Sequence, residues 1–279
     1  MVQANYQLRF CPKNQNEILR FHFHDEIEFL MPVTKGGRLW IEDKIYSLEP
    51  GALFVMSEHT LHHLSTDQTP YERYILHVSP ADLAALSTPR TDLLACFNQS
   101  FYAMDISRHT ERFIMRMAAM DQERAGEFGG DIRRAMAFLD FLLDVGSMIP
   151  DAGEAPQLSG DPNVARVLEI QRYIRANSSN PLTLEQIAGE FFISKYHLSH
   201  IFKAVSNYTV IEYLNYCRVS KACRMLRGRL DTSHVGEAAG FGSPEQFLRT
   251  FKHWMGMTPL QYSKKYREAL QLNHLTGGL

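Results

Sequence analysis

The sequence is poor in cysteine, and the few cysteines present are not grouped. Cys11, Cys96, Cys217 and Cys223 are widely separated along the chain. Closely spaced cysteine pairs are the usual sign of a zinc site, and a short cysteine-rich chain is the usual sign of a disulfide framework. The scatter therefore indicates reduced thiols in a cytosolic protein.

Long hydrophobic runs are also absent. No stretch reaches the ~18 apolar residues that suggest a membrane-spanning helix, and the first residues lack the basic-then-apolar pattern of a signal peptide. The sequence shows no nucleophile–base constellation of the kind used in covalent catalysis. We therefore expect a cytoplasmic protein that has no membrane partner and is not an enzyme.

Charge is distributed unevenly along the 279 residues, a length that suggests two domains. The formal net charge is −2, but residues 164–279 contain 15 Lys and Arg against 8 Asp and Glu. The residues before them contain 14 basic and 23 acidic side chains. A basic C-terminal half is typical of a domain that binds a polyanion such as nucleic acid. The alternative is that the excess is only a solvated surface.

The C-terminal half contains one unit twice, at a constant offset of 49 positions. The pairs that share this offset are Ser194 and Ser243, Leu198 and Phe247, Phe202 and Phe251, Lys203 and Lys252, Asn207 and Gly256, Thr209 and Thr258, Glu212 and Gln261, and Tyr213 and Tyr262. An offset kept over so many positions indicates an internal repeat.

Each copy predicts a helix, a tight turn and a second helix. The second helices begin after Ser194 and Ser243, because serine hydroxyls accept hydrogen bonds from the first turn of a helix. The upstream helices begin at Thr183 and Thr232, and a long helix predicted over Thr209–Arg227 joins the two copies. This arrangement is a tandem helix-turn-helix unit.

One set of residues in the second copy is more specific. These residues are Gly240, Phe241, Gly242, Ser243, Phe247, Arg249, Phe251, Lys252, Gly256, Thr258, Pro259 and Tyr262. They resemble the signature of the AraC/XylS family of bacterial transcription regulators, and the similarity covers roughly Val167–Arg267. Two departures are Asn207, where the family usually has Gly, and Gly236, where it usually has Ala. As a glycine inside a helix, Gly236 predicts a loss of about 0.5–1 kcal/mol relative to Ala.

The resemblance implies that the second helix of each unit lies in a major groove of double-stranded DNA. The candidates for base contacts are Lys195, Tyr196, His197, Ser199 and His200 in the first unit, and Pro244, Glu245, Gln246, Leu248 and Arg249 in the second. Arg249 suits guanine, Gln246 adenine and Glu245 the cytosine amino group. The candidates for phosphate contacts are Ser194, Lys203, Ser243 and Lys252. For each residue the alternative is a merely solvated side chain.

The N-terminal half predicts short strands separated by turns. Arg20–Phe29 alternates polar and apolar residues, with His22, His24 and Glu28 on one face. Further strands are predicted over Arg38–Glu42, Ile45–Leu48, Ala52–Met56 and Tyr71–Val78. Many short strands with regular turns predict a small barrel or a sandwich.

The polar face of the first strand is a candidate binding site. His22, His24, Glu28, the Pro50-Gly51 turn and His62 resemble the cupin pattern in part, and family members commonly have an N-terminal cupin sensor. Three imidazoles and a carboxylate suit a divalent transition metal, so these four side chains are candidate metal ligands.

Two alternatives to a metal remain open for this face. It is either the solvated side of the strand, or part of an effector pocket that holds a sugar-like molecule through the same polar groups. Trp40 is a further candidate for the pocket, although core packing explains it equally well. His59 and His63 are predicted to be exposed turn residues.

Helical periodicity follows, from about Asp105 to Arg124 and again over residues 130–149. The predicted apolar stripes are Ile106, Phe113, Ile114, Met117 and Met120, and then Ile132, Leu139, Leu142, Leu143 and Ile149. The family resemblance implies that such a helix pair forms a homodimer; the alternative is that it packs only on its own barrel. Residues 150–162, rich in Pro and Gly, predict a linker.

We therefore expect an α+β protein of two domains. Residues 1–100 form a cupin-like, effector-binding small β-barrel, residues 101–149 a helix pair, residues 150–162 a linker, and residues 163–270 an all-α DNA-binding domain with tandem helix-turn-helix units. The expected function is a sequence-specific transcription regulator controlled by a small molecule. The resemblance favours an activator that works with RNA polymerase. The alternatives are a metal-dependent cupin enzyme fused to a DNA-binding domain, and a constitutive DNA-binding dimer.

Overall fold

The computed structural model describes residues 5–12, 22–42, 44–65, 71–121, 127–151, 162–206, 208–227 and 232–265. The chain divides into two compact units, Met1–Leu158 and Ser159–Leu279. Most of the predicted linker, residues 152–161, lies outside the described residues. No helix in the described part of the chain is long and apolar enough to cross a membrane.

The described strands of the first unit form two antiparallel sheets. The strands are β1 (Gln7–Cys11), β2 (Ile27–Pro32), β3 (Gly36–Ile41), β4 (Lys44–Leu48), β5 (Ala52–Met56), β6 (His62–Ser65), β7 (Arg73–Val78) and β8 (Phe101–Asp105). The larger sheet has the order β1-β7-β2-β5-β8, and the smaller sheet has the order β4-β3-β6. Among the described residues the strands do not close into the predicted barrel; they form an open two-sheet sandwich.

Both faces of the larger sheet are covered, which explains why β2 is buried at every position. Alternate residues of a strand point to opposite faces. One face, which includes Ile27 and Phe29, packs against the helices of the unit. The other face, which includes Leu30, packs against Leu39 and Ile41 of the smaller sheet. Glu28 shares parity with Leu30 and therefore points between the two sheets.

The structure corrects several predicted strand limits. The predicted strand from Arg20 begins only at Ile27, because residues 23–26 lie outside the ladder and only an isolated bridge joins His22 to His62. Arg20 and Phe21 lie outside the described residues. No individual strand was predicted at β1, β6 or β8, and the helix α1 (Pro80–Leu86) was not predicted. The predicted helix from Asp105 begins at Thr110, because Asp105 still belongs to β8 and pairs with Ala52 of β5.

Two longer helices complete the unit, α2 (Thr110–Asp121) and α3 (Gly130–Met148). The predicted stripe of α2 is confirmed, with Phe113, Met117 and Met120 in the core. The predicted stripe of α3 is wrong in part. Phe138, Phe141, Leu142 and Val145 are buried, whereas Ile132 is 61% exposed and Leu143 is 49% exposed. Apolar residues surround more than one side of α3, so periodicity did not fix the buried side.

The second unit is helical. Its helices are α4 (Pro162–Asn177), α5 (Leu184–Glu190), α6 (Lys195–Ser206), α7 (Val210–Arg227), α8 (Thr232–Ala238) and α9 (Pro244–Met255). The pairs α5–α6 and α8–α9 are the two predicted helix-turn-helix units, and α7 joins them. At 1.5 Å per residue, the 18 residues of α7 extend about 27 Å.

The helix ends follow the predicted capping chemistry. Thr183 and Gln186 form a reciprocal capping box at α5, and Thr209 with Glu212 and Thr258 with Gln261 make the same bonds at the next helix starts. Gly256 ends α9 with φ of 67°, in the left-handed region. Asn207, predicted to play the same role, lies outside the described residues.

Candidate nucleic-acid interface and candidate metal centre

Helix α6 exposes a polar face and buries an apolar face. Leu198, Ile201 and Phe202 are buried in the core of the unit. The exposed residues are Ser194, Lys195, Tyr196, His197, Ser199, His200 and Lys203. The hydroxyl of Ser194 accepts a hydrogen bond from the backbone N–H of His197 at 3.1 Å, which caps the helix. The predicted base-contact residues of the first unit therefore lie together on one accessible surface.

Helix α9 repeats this arrangement. Phe247 and Phe251 are buried, and the exposed residues are Pro244, Glu245, Leu248, Arg249 and Lys252. Ser243 caps the helix by accepting from the backbone N–H of Gln246 at 3.2 Å. The side-chain oxygen of Gln246 accepts from the N–H of Gly242 at 3.1 Å. Gln246 is therefore not part of the proposed base-reading set, because its side-chain oxygen is engaged at the helix start.

Two features place anion-binding groups beside these faces. The N-termini of α6 and α9 carry the partial positive charge of the helix dipole. Lys203 and Lys252 are exposed at equivalent positions near the ends of the same helices. Lys195 differs, because its Nζ lies 2.6 Å from Oε1 of Glu185. The ion pair lowers the pKa of Glu185.

A second polar cluster lies between the two sheets of the first unit. His22, His24, Glu28 and His62 each present one ligand-type atom, and these atoms all lie within 4.8 Å of one another. The Nε2 atoms of His24 and His62 lie 2.9 Å and 3.4 Å from Oε2 of Glu28. The structure thus brings together the four residues that the sequence analysis named as candidate metal ligands.

Glu28 is the centre of this cluster, and its side chain is only 5% exposed. Burial raises the pKa of a carboxyl group, but the charge of His62 and hydrogen bonds from His24, His62 and His77 outweigh burial here. Together they lower the pKa of Glu28 well below its ordinary value. Glu28 is therefore an ionised carboxylate in the interior of the unit.

His77 belongs to the cluster and was missed in the sequence analysis. Its Nε2 lies 2.9 Å from Oε2 of Glu28. The contact follows from the register of β2 and β7, in which Glu28 pairs with His77. The sequence offered a signal in the parity of the β7 strand, but the pairing partner of a strand cannot be read from its own residues.

Trp40, for which core packing was the alternative to the pocket, is buried. It pairs with His63 across β3 and β6 and has the opposite parity to the inter-sheet residues Leu39 and Ile41, so it points away from the cluster. Two other predictions for this region are wrong. His59 and His63 are 3% and 4% exposed instead of lying on the surface. His59 bonds Asp25 at 3.0 Å. Burial, aided by His62, lowers the pKa of His63 to about 4.

Comparisons with known proteins agree with these two regions. A family model described as a helix-turn-helix domain matches residues 187–265. A model described as an AraC-like ligand binding domain matches residues 12–129. These matches and the geometry above define a helix-turn-helix protein with a separate ligand-binding unit. Together the two matches support an AraC family regulator with an N-terminal ligand-binding domain.

Individual relatives share either the C-terminal unit or most of the chain. An uncharacterised HTH-type transcriptional regulator, YpdC of Escherichia coli (strain K12), is 32% identical over 99 residues, which is 35% of each chain. The similar regulator YfiF of Bacillus subtilis (strain 168) is 24% identical over 268 residues, which is 92% of this chain and 83% of YfiF.

The match to YpdC thus spans about a third of that relative, as does the match to a second E. coli regulator, YijO, at 36% of its length.

Among solved structures, the chain is similar to ToxT from Vibrio cholerae. The superposition covers 93% of this chain and 97% of ToxT, at 13% identity and a TM-score of 0.38.

Proposed function

We propose that this chain is a sequence-specific transcription regulator that binds double-stranded DNA through α6 and α9. The observation that carries the proposal is the repeated exposure of one polar helix face by two helix-turn-helix units. In each unit an aromatic and aliphatic side is buried while the N-terminal polar side is accessible. An α-helix with such a face fits the major groove.

The proposed contacts fall into two classes. Arg249 reads a base, because the guanidinium fork matches the two acceptors of guanine in the major groove. Lys203, Lys252 and the capped helix starts hold phosphates, which positions the protein without reading sequence. The remaining exposed residues of both helix faces contribute at the edges of the same interface.

We also propose that a small ligand in the first unit controls DNA binding. Support comes from the match to a ligand-binding domain and from the buried polar cluster at Glu28. Control requires that the ligand bind two states of the protein with different affinity. The relatives are named as transcriptional regulators, which favours a ligand-controlled regulator over a cupin enzyme. Because the proposed partner is DNA, a cytoplasmic site of action is also favoured.

The helix pair supplies a surface for a homodimer. Met115, Met136 and Ile132 of α2 and α3 are about 60% exposed, and a groove of about 400 Å³ beside them is lined by Arg112, Met115, Arg116, Ala119, Arg133, Met136, Ala137 and Asp140. Arg116 pairs with Asp140 and Asp144 at 2.6 and 2.8 Å, which fixes α2 on α3. Exposed apolar patches of this kind mark interaction sites.

The substitution Arg249→Ala tests the DNA-reading role. We expect it to weaken binding to the preferred duplex by about 1–3 kcal/mol, or about 5- to 150-fold, and to relax the preference at one base position. Fluorescence anisotropy of the full-length protein on the preferred and a scrambled duplex measures both effects. Arg90→Ala is the matched control, because Arg90 is exposed in the other unit.

The substitution Lys252→Ala distinguishes a phosphate contact, which positions the protein on DNA, from a base contact, which reads the sequence. This variant should weaken binding to both duplexes alike and reduce the salt dependence of binding by about one phosphate contact. A loss for Arg249→Ala that is equal on both duplexes would contradict the proposed base contact.

A further inference from the structure

In the buried cluster at Glu28, more imidazole nitrogen atoms converge on one carboxylate oxygen than that oxygen can accept hydrogen bonds from. Nε2 of His24 and Nε2 of His77 each lie 2.9 Å from Oε2 of Glu28, and Nε2 of His62 lies 3.4 Å from the same atom. A carboxylate oxygen offers about two lone-pair sites. Three imidazoles directed at one oxygen atom are therefore not explained by hydrogen bonding to Glu28 alone.

The opposite ring nitrogens show how two of these imidazoles are oriented. Nδ1 of His24 lies 2.9 Å from the backbone oxygen of Glu26, and Nδ1 of His62 lies 2.9 Å from the backbone oxygen of Thr60. A carbonyl oxygen only accepts, so Nδ1 carries the hydrogen in both rings. A hydrogen bond from Nε2 to Glu28 then requires a second hydrogen on the ring, whereas a ring without that second hydrogen presents the lone pair of Nε2 to a cation beside the carboxylate.

This arrangement matches the second layer of a metal site. Imidazoles that bind a metal through one nitrogen almost always donate the other N–H to a backbone carbonyl or a carboxylate. A cation between the Nε2 lone pairs and the Glu28 carboxylate would attract all of them. His22 completes the group, because its bridge to His62 holds its ligand atom within 4.8 Å of the others.

The donor chemistry limits the kind of ion. Calcium and magnesium prefer oxygen ligands, whereas three imidazole nitrogens and one carboxylate oxygen suit zinc, iron, nickel, cobalt or copper in the divalent state. The sign of the charge also fits, since a divalent cation would offset the negative charge of the buried carboxylate.

We propose that His22, His24, Glu28 and His62 bind one divalent transition-metal ion, and that this ion is the ligand through which the first unit controls DNA binding. The inference rests on the function proposed above. Glu28 lies on β2 of the larger sheet and His62 on β6 of the smaller sheet, so the ion connects the two sheets. His77 is a positioning residue that holds the Glu28 carboxylate from β7.

The test uses the untagged full-length protein after treatment with a chelator. The protein is titrated with Zn²⁺ or Co²⁺, and bound metal is measured by plasma mass spectrometry after gel filtration. We expect about one ion per chain, a rise in the melting temperature, and a visible absorption band with Co²⁺. The cobalt band is read on the unmodified chain, so it does not depend on whether any variant folds.

Two variants and one control locate the site. Glu28→Gln keeps the shape of the side chain and His24→Ala removes one ring; both should lose the ion while circular dichroism reports the fold. His109→Ala should retain the ion, because His109 is exposed away from the cluster. Absence of saturable metal binding by the unmodified chain, or equal binding by folded Glu28→Gln, would overturn the site.

DNA binding by the same samples separates this inference from the proposed function. We expect the affinity for the preferred duplex to differ at least about fivefold between metal-loaded and metal-free protein, the lower end of ordinary coupling between sites. Equal affinity would overturn the controlling role of the ion. In either case, a preference for one duplex over a scrambled duplex would leave the DNA-binding function standing.

Discussion

Arg218 is buried in α7, with only 7% of the residue exposed. Its Nε donates to the backbone oxygen of Ser178 at 2.9 Å, and Nη2 donates to the backbone oxygen of Asn180 at 3.1 Å. Its guanidinium also lies 5.9 Å from the centre of the Phe241 ring. One side chain of the joining helix thus holds the turn after α4 and the aromatic residue before α9.

Replacement of Arg218 by Met should destabilise the second unit. The variant keeps most of the apolar stem but loses two charge-assisted hydrogen bonds, so we expect a loss of about 2–3 kcal/mol in the free energy of unfolding. Urea denaturation measures it. Arg224→Met is the control, because Arg224 is exposed on the same helix and should change stability by less than about 0.5 kcal/mol. Similar losses in both variants would contradict this role for Arg218.

The buried histidines show which residue-scale features the sequence could predict. Strand parity grouped His22, His24 and Glu28 in the sequence, but in the structure only Glu28 lies on β2, and an isolated bridge to His62 holds His22 near it. His62 was added by its resemblance to a pattern. His77 was not found, since its contact with Glu28 depends on which strand pairs with β2, and that pairing joins positions far apart in sequence. Burial of His59 and His63 depends on the same long-range packing.

At the scale of elements, α8 packs tightly against α9 at Gly236. A Cβ atom placed there would lie 2.8 Å from Cδ1, 2.9 Å from Cγ and 3.0 Å from Cβ of Phe247. The sequence alone indicated only a helix-propensity loss at Gly236. The structure gives the glycine a packing role, because it lets the second reading helix rest directly on the helix before it.

The substitution Gly236→Ala should therefore destabilise the unit. Alanine gains about 1 kcal/mol in helix propensity, but overpacking a tight contact costs about 1–3 kcal/mol. We expect overpacking to dominate because Cβ of Phe247 is fixed by the backbone of α9, and burial of the ring leaves Cγ little room to rotate.

Gly189→Ala in α5 is the matched control for this substitution. Nothing lies within 4 Å of a Cβ there, so that variant should be more stable by roughly 0.5–1 kcal/mol. Both effects are read from urea denaturation curves. A Gly236→Ala variant that is more stable than the unmodified chain would contradict this prediction, because it would show that α9 shifts to accommodate the added methyl group at little cost in free energy.

Local chemistry explains which elements were predictable. The two residues of each capping pair, which begin at Thr183, Thr209 and Thr258, are only three positions apart in sequence. Helix starts in the second unit were therefore predicted well. The side of α3 that faces the core was not, because Ile132 and Leu143 offer an apolar surface as plausible as the buried one. Strand β8 was missed since its pairing with β5 is a long-range contact.

At the scale of the whole molecule, helices of both helix-turn-helix units pack on the joining helix α7, while the polar cluster lies in a separate unit. The joining helix α7, about 27 Å long, limits how the two reading helices can be spaced. Successive major grooves on one face of DNA lie ~34 Å apart. We therefore expect one chain to read two neighbouring grooves.

The most direct test of this account is selection of duplexes from a random pool by the full-length protein, followed by sequencing. We predict enrichment of sites in which each chain reads two blocks of bases whose centres lie about 10–10.5 base pairs apart. Arg249→Ala should lose the preference in one block only. Failure to enrich any sequence, or enrichment of a single block that Arg249→Ala leaves unchanged, would contradict the central claim that both helix-turn-helix units read DNA.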